Sequence, residues 1–124
     1  MNQTNLSKKL LVVEDEHIIR SICSRVLTKE GFNVVLASDG NMAVELLDNQ
    51  EFDICLLDIR TPGIDGLDLY KYIYMSFPDL SSRVIFMTGD SLSKKIADFV
   101  ADAGSTLLEK PFTTNELVQA VKRV

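Results

Sequence analysis

Five polar residues stand directly after apolar segments, and their types could support phosphoryl chemistry. Glu14 and Asp15 follow the first apolar run, Asp58 ends the most apolar one, and Thr88 and Lys110 follow the last two. A carboxylate can act as a nucleophile, and a divalent cation, a hydroxyl and an ammonium can neutralise or bind a phosphoryl group. Loops carry polar residues by default. That rule does not predict three carboxylates, a hydroxyl and an ammonium at the ends of four of the five apolar runs.

The three carboxylates would repel one another if the fold brings them together. Two unit charges about 4 Å apart cost about 4 kcal/mol at an effective dielectric constant of about 20. Either some of the carboxyl groups are protonated or a cation neutralises them. Mg2+ is the expected cation, since it binds carboxylates, waters and phosphate oxygens, and no cluster of histidine and cysteine ligands accompanies the acids to favour zinc.

A cationic and a hydroxyl side chain complete the set. Lys110 would place a fixed positive charge in the same crevice, where it could neutralise an incoming phosphoryl group. The Thr88 hydroxyl and the Gly89 amide could each donate a hydrogen bond to a phosphate oxygen. With Asp58 as the nucleophile, these groups fit phosphoryl transfer to an aspartate, which depends mainly on positioning and charge neutralisation.

Strand-like and helix-like segments alternate along the whole chain. Short apolar runs predict five strands, at 9–13, 34–37, 54–57, 84–87 and 106–108. Apolar residues at helical spacing follow each run and predict helices over 16–29, around 42–47, over 67–75, around 96–103 and from 113 to the end. Parallel strands joined by helical crossovers predict a doubly wound α/β sheet, with the five polar residues at its carboxyl edge.

Size and charge limit the classes of function. The chain has 124 residues, which fits a single domain over 1–124 with a polar N-terminal tail at 1–7. The net charge of -5 argues against direct binding to nucleic acid or an anionic membrane. No signal peptide or membrane-spanning run is evident, so a cytoplasmic location is expected. Cys23 and Cys55 are expected to be buried thiols.

The sequence resembles the receiver domains of two-component response regulators over residues 9–124. The resemblance rests on five motifs in this order, which are Glu14-Asp15, Leu56-Leu57-Asp58-Ile59, Pro62-Gly63-Ile64-Asp65-Gly66, Thr88-Gly89 and Lys110-Pro111-Phe112. It implies a flavodoxin-like (βα)5 fold with strand order 2-1-3-4-5. The last strand and the segment after it also resemble receiver domains that are attached to hybrid histidine kinases.

The resemblance also implies roles for individual residues. Asp58 would be the phosphoacceptor, supplied by a phosphohistidine on a sensor kinase or a histidine phosphotransfer protein. Asp15, Asp58 and the Arg60 backbone carbonyl would bind Mg2+ directly, and Glu14 would bind it through water. Thr88, Gly89 and Lys110 would bind the phosphoryl group. A cis peptide is implied before Pro111, and an output domain or a parent hybrid kinase is implied as a further partner.

Two departures from the family pattern concern the switching response. Leu107 stands three residues before the lysine, where the family usually has tyrosine or phenylalanine, so the hydroxyl–aromatic switch is incomplete. Arg60 and Asp90 have opposite charges at two rim positions. They are hypothesised to pair across the mouth of the site and slow hydrolysis of the phosphoryl group.

Other interpretations remain open at this point. A pseudo-receiver would bind partners without phosphorylation. That alternative stays open because Leu107 replaces the usual aromatic residue of the switch. A Mg2+-dependent phosphatase that forms an aspartyl phosphate would need a second acid where Arg60 stands, and a flavodoxin would need a phosphate-binding loop after the first strand. A receiver would be an enzyme only in its own phosphorylation and dephosphorylation.

Structural roles are also possible for some of these residues. Glu14 and Asp15 could cap the first helix, and Asp65-Gly66 is expected to be a structural turn.

Overall fold

A computed structural model describes residues 7–89 and 93–124 of the chain. Five strands, β1 to β5 in chain order, span Lys9–Val13, Asn33–Ala37, Ile54–Asp58, Val84–Thr88 and Thr106–Glu109. Six helices, α1 to α6, span His17–Lys29, Gly40–Asn49, Gly66–Ser76, Pro78–Ser81, Lys94–Ala103 and Thr114–Lys122. Except for Ser7, the polar tail predicted at 1–7 lies outside the described residues. No described helix is long and apolar enough to span a bilayer.

All five strands form one parallel sheet in the order β2-β1-β3-β4-β5. This confirms the predicted doubly wound topology and its strand order. The order reverses next to β1, and the carboxyl ends of β1 and β3 therefore open onto a shared crevice. Every residue of the central strands β3 and β4 is buried, as their continuous apolar sequences predict.

The strands contribute alternate side chains to two apolar layers. On one face, Leu11 and Val13 pack in a cluster that includes Leu69 of α3 and Val100 of α5. On the other face, Leu10 and Val12 pack in a cluster that includes residues of α1 and α6. Cys55 belongs to the first layer and Cys23 to the second, and burial raises the pKa of each thiol to about 12. The prediction that both are buried core thiols is therefore confirmed.

Side-chain caps begin most of the helices. Asp39, Asp65 and Ser93 each accept a hydrogen bond from a backbone amide in the first turn of the following helix. Thr113 and Glu116 form the capping box that their spacing predicts. The N-terminal boundaries of these four helices are therefore encoded locally in the sequence.

Three details differ from the sequence-based expectations or refine them. The first helix starts at His17, and its N-cap is Glu16, so the alternative of Glu14 or Asp15 as the cap is wrong. The short helix Pro78–Ser81 was not predicted, because proline marked the end of α3 and also suits the first position of a new helix. The Lys110–Pro111 peptide bond is cis, as the resemblance implied.

Gly66 lies against the backbone that follows β3. A Cβ atom at this position would come within 2.5 Å of the Ile59 Cα and 2.6 Å of the Asp58 carbonyl oxygen. The Gly66 amide donates a hydrogen bond to the Ile59 carbonyl at 2.8 Å. The start of α3 and the end of β3 are therefore packed without room for a side chain.

We expect Gly66→Ala to lower the free energy of unfolding by about 2–3 kcal/mol, because the added methyl group must push backbone away from backbone. Chemical denaturation would measure the change. Gly89→Ala is the matched control, since a Cβ there meets no atom within 4 Å. Equal stability of the two variants would contradict the close packing at Gly66.

Candidate functional site

The register of the sheet brings the five predicted residues to one edge. Val13 pairs with Leu57, so Glu14 follows β1 beside Asp58 at the end of β3. Asp58 pairs with Met87, so Thr88 extends one residue beyond it on β4. Thr88 pairs with Glu109, and the Lys110 amide donates a 2.8 Å hydrogen bond to the Thr88 carbonyl. Residues far apart in sequence thus share one crevice.

Three carboxylates cluster in this crevice. Glu14, Asp15 and Asp58 each offer an oxygen, and the three oxygens lie within 4.8 Å of one another. Glu14 and Asp58 are buried and Asp15 is exposed. The crowding of negative charge expected from the sequence is therefore present in the fold.

The Asp58 carboxylate has a separate partner for each oxygen. Its Oδ1 accepts a 3.1 Å hydrogen bond from the Arg60 amide, and its Oδ2 lies 3.0 Å from the Lys110 ammonium nitrogen. The Thr61 hydroxyl donates to the Asp58 carbonyl at 3.0 Å. These contacts fix the orientation of the carboxylate at the end of β3.

Lys110 is the cation of the site and contacts three carboxylates. Its Nζ lies 2.6 Å from Glu14 Oε1, 3.0 Å from Asp58 Oδ2 and 3.3 Å from Glu16 Oε1. Burial acts to lower the pKa of Lys110, but the carboxylates of Glu14 and Asp58 outweigh it and raise that pKa above its usual range. The ammonium therefore stays charged at all physiological pH values.

Glu14 is the most constrained acid of the cluster. Its Oε2 accepts a 3.0 Å hydrogen bond from the Glu16 amide. Its Oε1 is buried and accepts no directed hydrogen bond, so its contact with Lys110 is ionic. Burial raises the pKa of Glu14 to about 7, with Lys110 and the Glu16 amide opposing the shift and Asp58 adding to it. Glu14 is thus only marginally stable as an anion in the metal-free protein.

The donor set fits a hard divalent cation. All the clustered ligand atoms are oxygens, which Mg2+ prefers, and the buried Glu14 oxygen without a hydrogen bond has unused capacity to accept one. One lysine beside three clustered acids leaves net negative charge in the crevice. The chemistry of the residues is consistent with the Mg2+ site that the sequence predicts.

The remaining predicted residues differ in how far the structure describes them. Thr88 is buried at the end of β4, and Gly89 is exposed beside it. Arg60 is exposed, so its side chain lies at the rim of the site. Leu107 is half-buried on β5 and pairs in register with Phe86. Asp90 lies outside the described residues, so its pairing with Arg60 stays a prediction.

Three further residues support the site and were not predicted. Glu16 contacts Lys110, Thr61 anchors the Asp58 carbonyl, and the Arg20 guanidinium donates to the backbone carbonyls of Glu14 and Asp15, both at 2.9 Å. Glu16 directly follows the acidic pair, which could have drawn attention to it. Thr61 and Arg20 act through backbone carbonyls, and no feature of their sequence neighbourhood signals such contacts.

Comparison with known proteins identifies the family. The family model of the response regulator receiver domain matches residues 10–122 of the chain. The chain belongs to this family. The receiver domain is 32% identical to sporulation initiation phosphotransferase F of Bacillus subtilis (strain 168) over 118 residues, which cover 95% of this chain and 94% of that protein.

Solved structures confirm the receiver fold. A CheY-like receiver domain protein from Methanospirillum hungatei JF-1 superposes with a TM-score of 0.86 at 25% identity, covering 95% of this chain and 93% of that one. The chemotaxis response regulator CheY4 of Vibrio cholerae gives a TM-score of 0.85 at 25% identity, covering 95% and 98%. The family predicted from the motifs is therefore confirmed. The relation to hybrid histidine kinases stays a prediction.

We expect Asp58→Asn to stabilise the metal-free receiver domain, because it removes one of the crowded charges while Lys110 keeps Glu14 and Glu16 as partners. A gain on the order of 1 kcal/mol would raise the melting temperature by about 4 °C. Thermal unfolding in the presence of a chelator would measure it. A lower melting temperature than that of the wild type would contradict charge crowding.

The stability of the metal-free receiver domain should also depend on pH through Glu14. The pKa of Glu14 is higher in the folded protein, about 7, than its ordinary value of 4.5. The folded state therefore binds the proton more tightly, so the stability from Glu14 is fully present below pH 4.5 and is lost as the pH rises through 7.

We expect the free energy of unfolding to fall by about 3 kcal/mol between pH 4.5 and 7.5 from this group alone. Denaturant titrations at several pH values, with chelator present, would measure the fall. Glu14→Gln, which cannot titrate, should flatten the profile, and an unchanged profile in that variant would rule out Glu14 as its source.

Proposed function

We propose that this receiver domain accepts a phosphoryl group onto Asp58 from a phosphohistidine, in a reaction that requires Mg2+. The observation that supports this most directly is the position of the Asp58 carboxylate, which lies 3.0 Å from the Lys110 ammonium inside the acidic cluster. A carboxylate that is fixed, buried and next to a cation suits nucleophilic attack on a phosphoryl group.

In this proposal Asp15, Asp58, the Arg60 carbonyl and, through water, Glu14 hold Mg2+. The bound ion would neutralise negative charge on the phosphoryl oxygens. Arg60 has a second role through its amide, which donates to Asp58 Oδ1 and limits rotation of the carboxylate. The Asp58 carboxylate therefore keeps one orientation for attack instead of rotating among several.

The transfer exchanges one bond to phosphorus for another. An Asp58 oxygen attacks the phosphorus atom, an oxygen–phosphorus bond forms, and the bond between phosphorus and the donor imidazole nitrogen breaks. Lys110 neutralises the charge that the phosphoryl oxygens bring into the crevice, and Thr88 and the Gly89 amide donate hydrogen bonds to them. In this proposal the chain catalyses its own phosphorylation and dephosphorylation and is not a conventional turnover enzyme.

The partners that we propose follow from this chemistry. The donor is a sensor histidine kinase or a histidine phosphotransfer protein, since a phosphohistidine supplies the phosphoryl group. The Bacillus subtilis relative is named a phosphotransferase. That name supports a role in which Asp58 passes the phosphoryl group on to a further acceptor. A parent hybrid kinase or an output domain is a further proposed partner.

We expect incubation with Mg2+ and acetyl phosphate to produce a covalent adduct one phosphoryl group heavier than the protein, stable in acid and labile in base. Asp58→Asn should abolish the adduct. Intact-mass spectrometry would measure it, with a chelator control that should also abolish it. Asp39→Asn is the matched control, because Asp39 caps α2 and asparagine caps a helix equally well.

The outcome also separates the alternative functions. A pseudo-receiver would form no adduct under any condition. A phosphatase would release inorganic phosphate from the donor through many turnovers and retain little adduct. A stable adduct that persists in Asp58→Asn would contradict the assignment of Asp58 as the acceptor.

A further inference from the structure

Three carboxylate oxygens already surround the Lys110 ammonium. An ammonium group has three N–H bonds, and three carboxylate oxygens lie within 3.3 Å of Nζ. Nζ donates hydrogen bonds to Asp58 and Glu16, and its contact with Glu14 is ionic, so a phosphoryl oxygen that approaches Lys110 competes with these carboxylates. Which one leaves depends on how costly it is to separate each carboxylate from the ammonium.

The three carboxylates differ sharply in their access to water. The Glu14 side chain is 0% exposed and that of Asp58 is 6% exposed, whereas the Glu16 side chain is 61% exposed. Removing the partner of a buried charge leaves that charge desolvated, and such losses are large. An exposed carboxylate that leaves a cation is hydrated by water, so its separation costs little. Asp58 loses its own charge when it is phosphorylated, so of the two carboxylates that stay charged, Glu16 is the one that Lys110 releases at the lower cost.

The backbone around Glu16 holds its side chain near Lys110. Glu16 is the N-cap residue of α1, but its side chain makes no capping hydrogen bond and contacts Lys110 instead. Its amide donates to Glu14 Oε2, which ties the start of α1 to the buried acid of the site. The Glu16 carbonyl accepts from the Arg20 amide at 3.0 Å as the first bond of the helix.

We propose that Glu16 is a positioning residue whose carboxylate occupies, on Lys110, the place that a phosphoryl oxygen takes when Asp58 is phosphorylated. Glu16 keeps the ammonium directed toward the mouth of the crevice while the site awaits a donor. It then competes with the phosphoryl group for Lys110. This inference rests on the proposed function, because it concerns the same ammonium and the same phosphoryl group.

The test uses beryllofluoride, an anion that mimics a phosphoryl group on a carboxylate without a chemical turnover. With Mg2+ present, Glu16→Gln should bind beryllofluoride about three- to fivefold more tightly than the wild type, because its competitor for Lys110 is neutral. Glu109→Gln is the matched control, since Glu109 is an exposed acid directly before Lys110 and is not among the three carboxylates that contact Nζ. That control should match the wild type.

A second variant separates contact with Lys110 from simple charge repulsion. Glu16→Asp keeps the charge but shortens the side chain by one carbon, so it should lose the contact and bind like Glu16→Gln. If Glu16→Asp binds like the wild type while Glu16→Gln binds more tightly, charge alone is responsible and the positioning role is refuted. Equal affinity in all three proteins would refute it as well.

A spectroscopic measurement on the metal-free protein tests the contact without any ligand. The side-chain methylene resonance of Lys110, assigned from a Lys110→Met variant, should shift in Glu16→Gln and stay in place in Glu109→Gln. An unmoved resonance in Glu16→Gln would overturn the contact. If the wild type binds no beryllofluoride and forms no adduct, the proposed function itself fails, whereas wild-type binding with no effect of Glu16 overturns only this inference.

Discussion

The balance of charge around the Lys110 ammonium is the constraint on which the site depends. Two carboxylates are buried at the carboxyl edge of the sheet, and a buried charge is tolerated only when it is paired. Lys110 is the partner of both and is itself mostly buried. Burial, with a smaller contribution from Asp58, raises the pKa of Glu14 and holds its carboxyl group close to protonation, and one cation does not neutralise the whole acidic cluster. The site is therefore arranged to gain from any further positive charge.

The sheet supplies the geometry that makes this balance possible. No two of Glu14, Asp58 and Lys110 are near each other in sequence, and each is delivered by a separate strand. Because parallel strands end at the same edge, the register of three strand pairs is enough to bring them into contact. The apolar layers on both faces keep that register, so the core and the site are parts of one arrangement.

The sequence predicted the fold and the convergence of the site because both follow from strong local patterns. Apolar runs defined the strands, helical spacing defined the crossovers, and the polar residues stood where the runs ended. The prediction missed α4 because the four residues Pro78–Ser81 contain too little pattern to separate a turn of helix from a loop. It missed the roles of Glu16, Thr61 and Arg20 because these depend on three-dimensional contacts with a side chain or a carbonyl. Distances such as those around Lys110 cannot be derived from residue types and spacing.

The contact between Gly66 and the backbone after β3 has a consequence for how the crevice can adapt. On one side, the end of β3 and the start of α3 pack backbone against backbone at Gly66, so this side has little room to move when a larger group arrives. The opposite wall consists of long, rotatable side chains, those of Lys110 and Glu16. A new group is therefore accommodated by movement of the Lys110 and Glu16 side chains, while the Asp58 carboxylate stays in place.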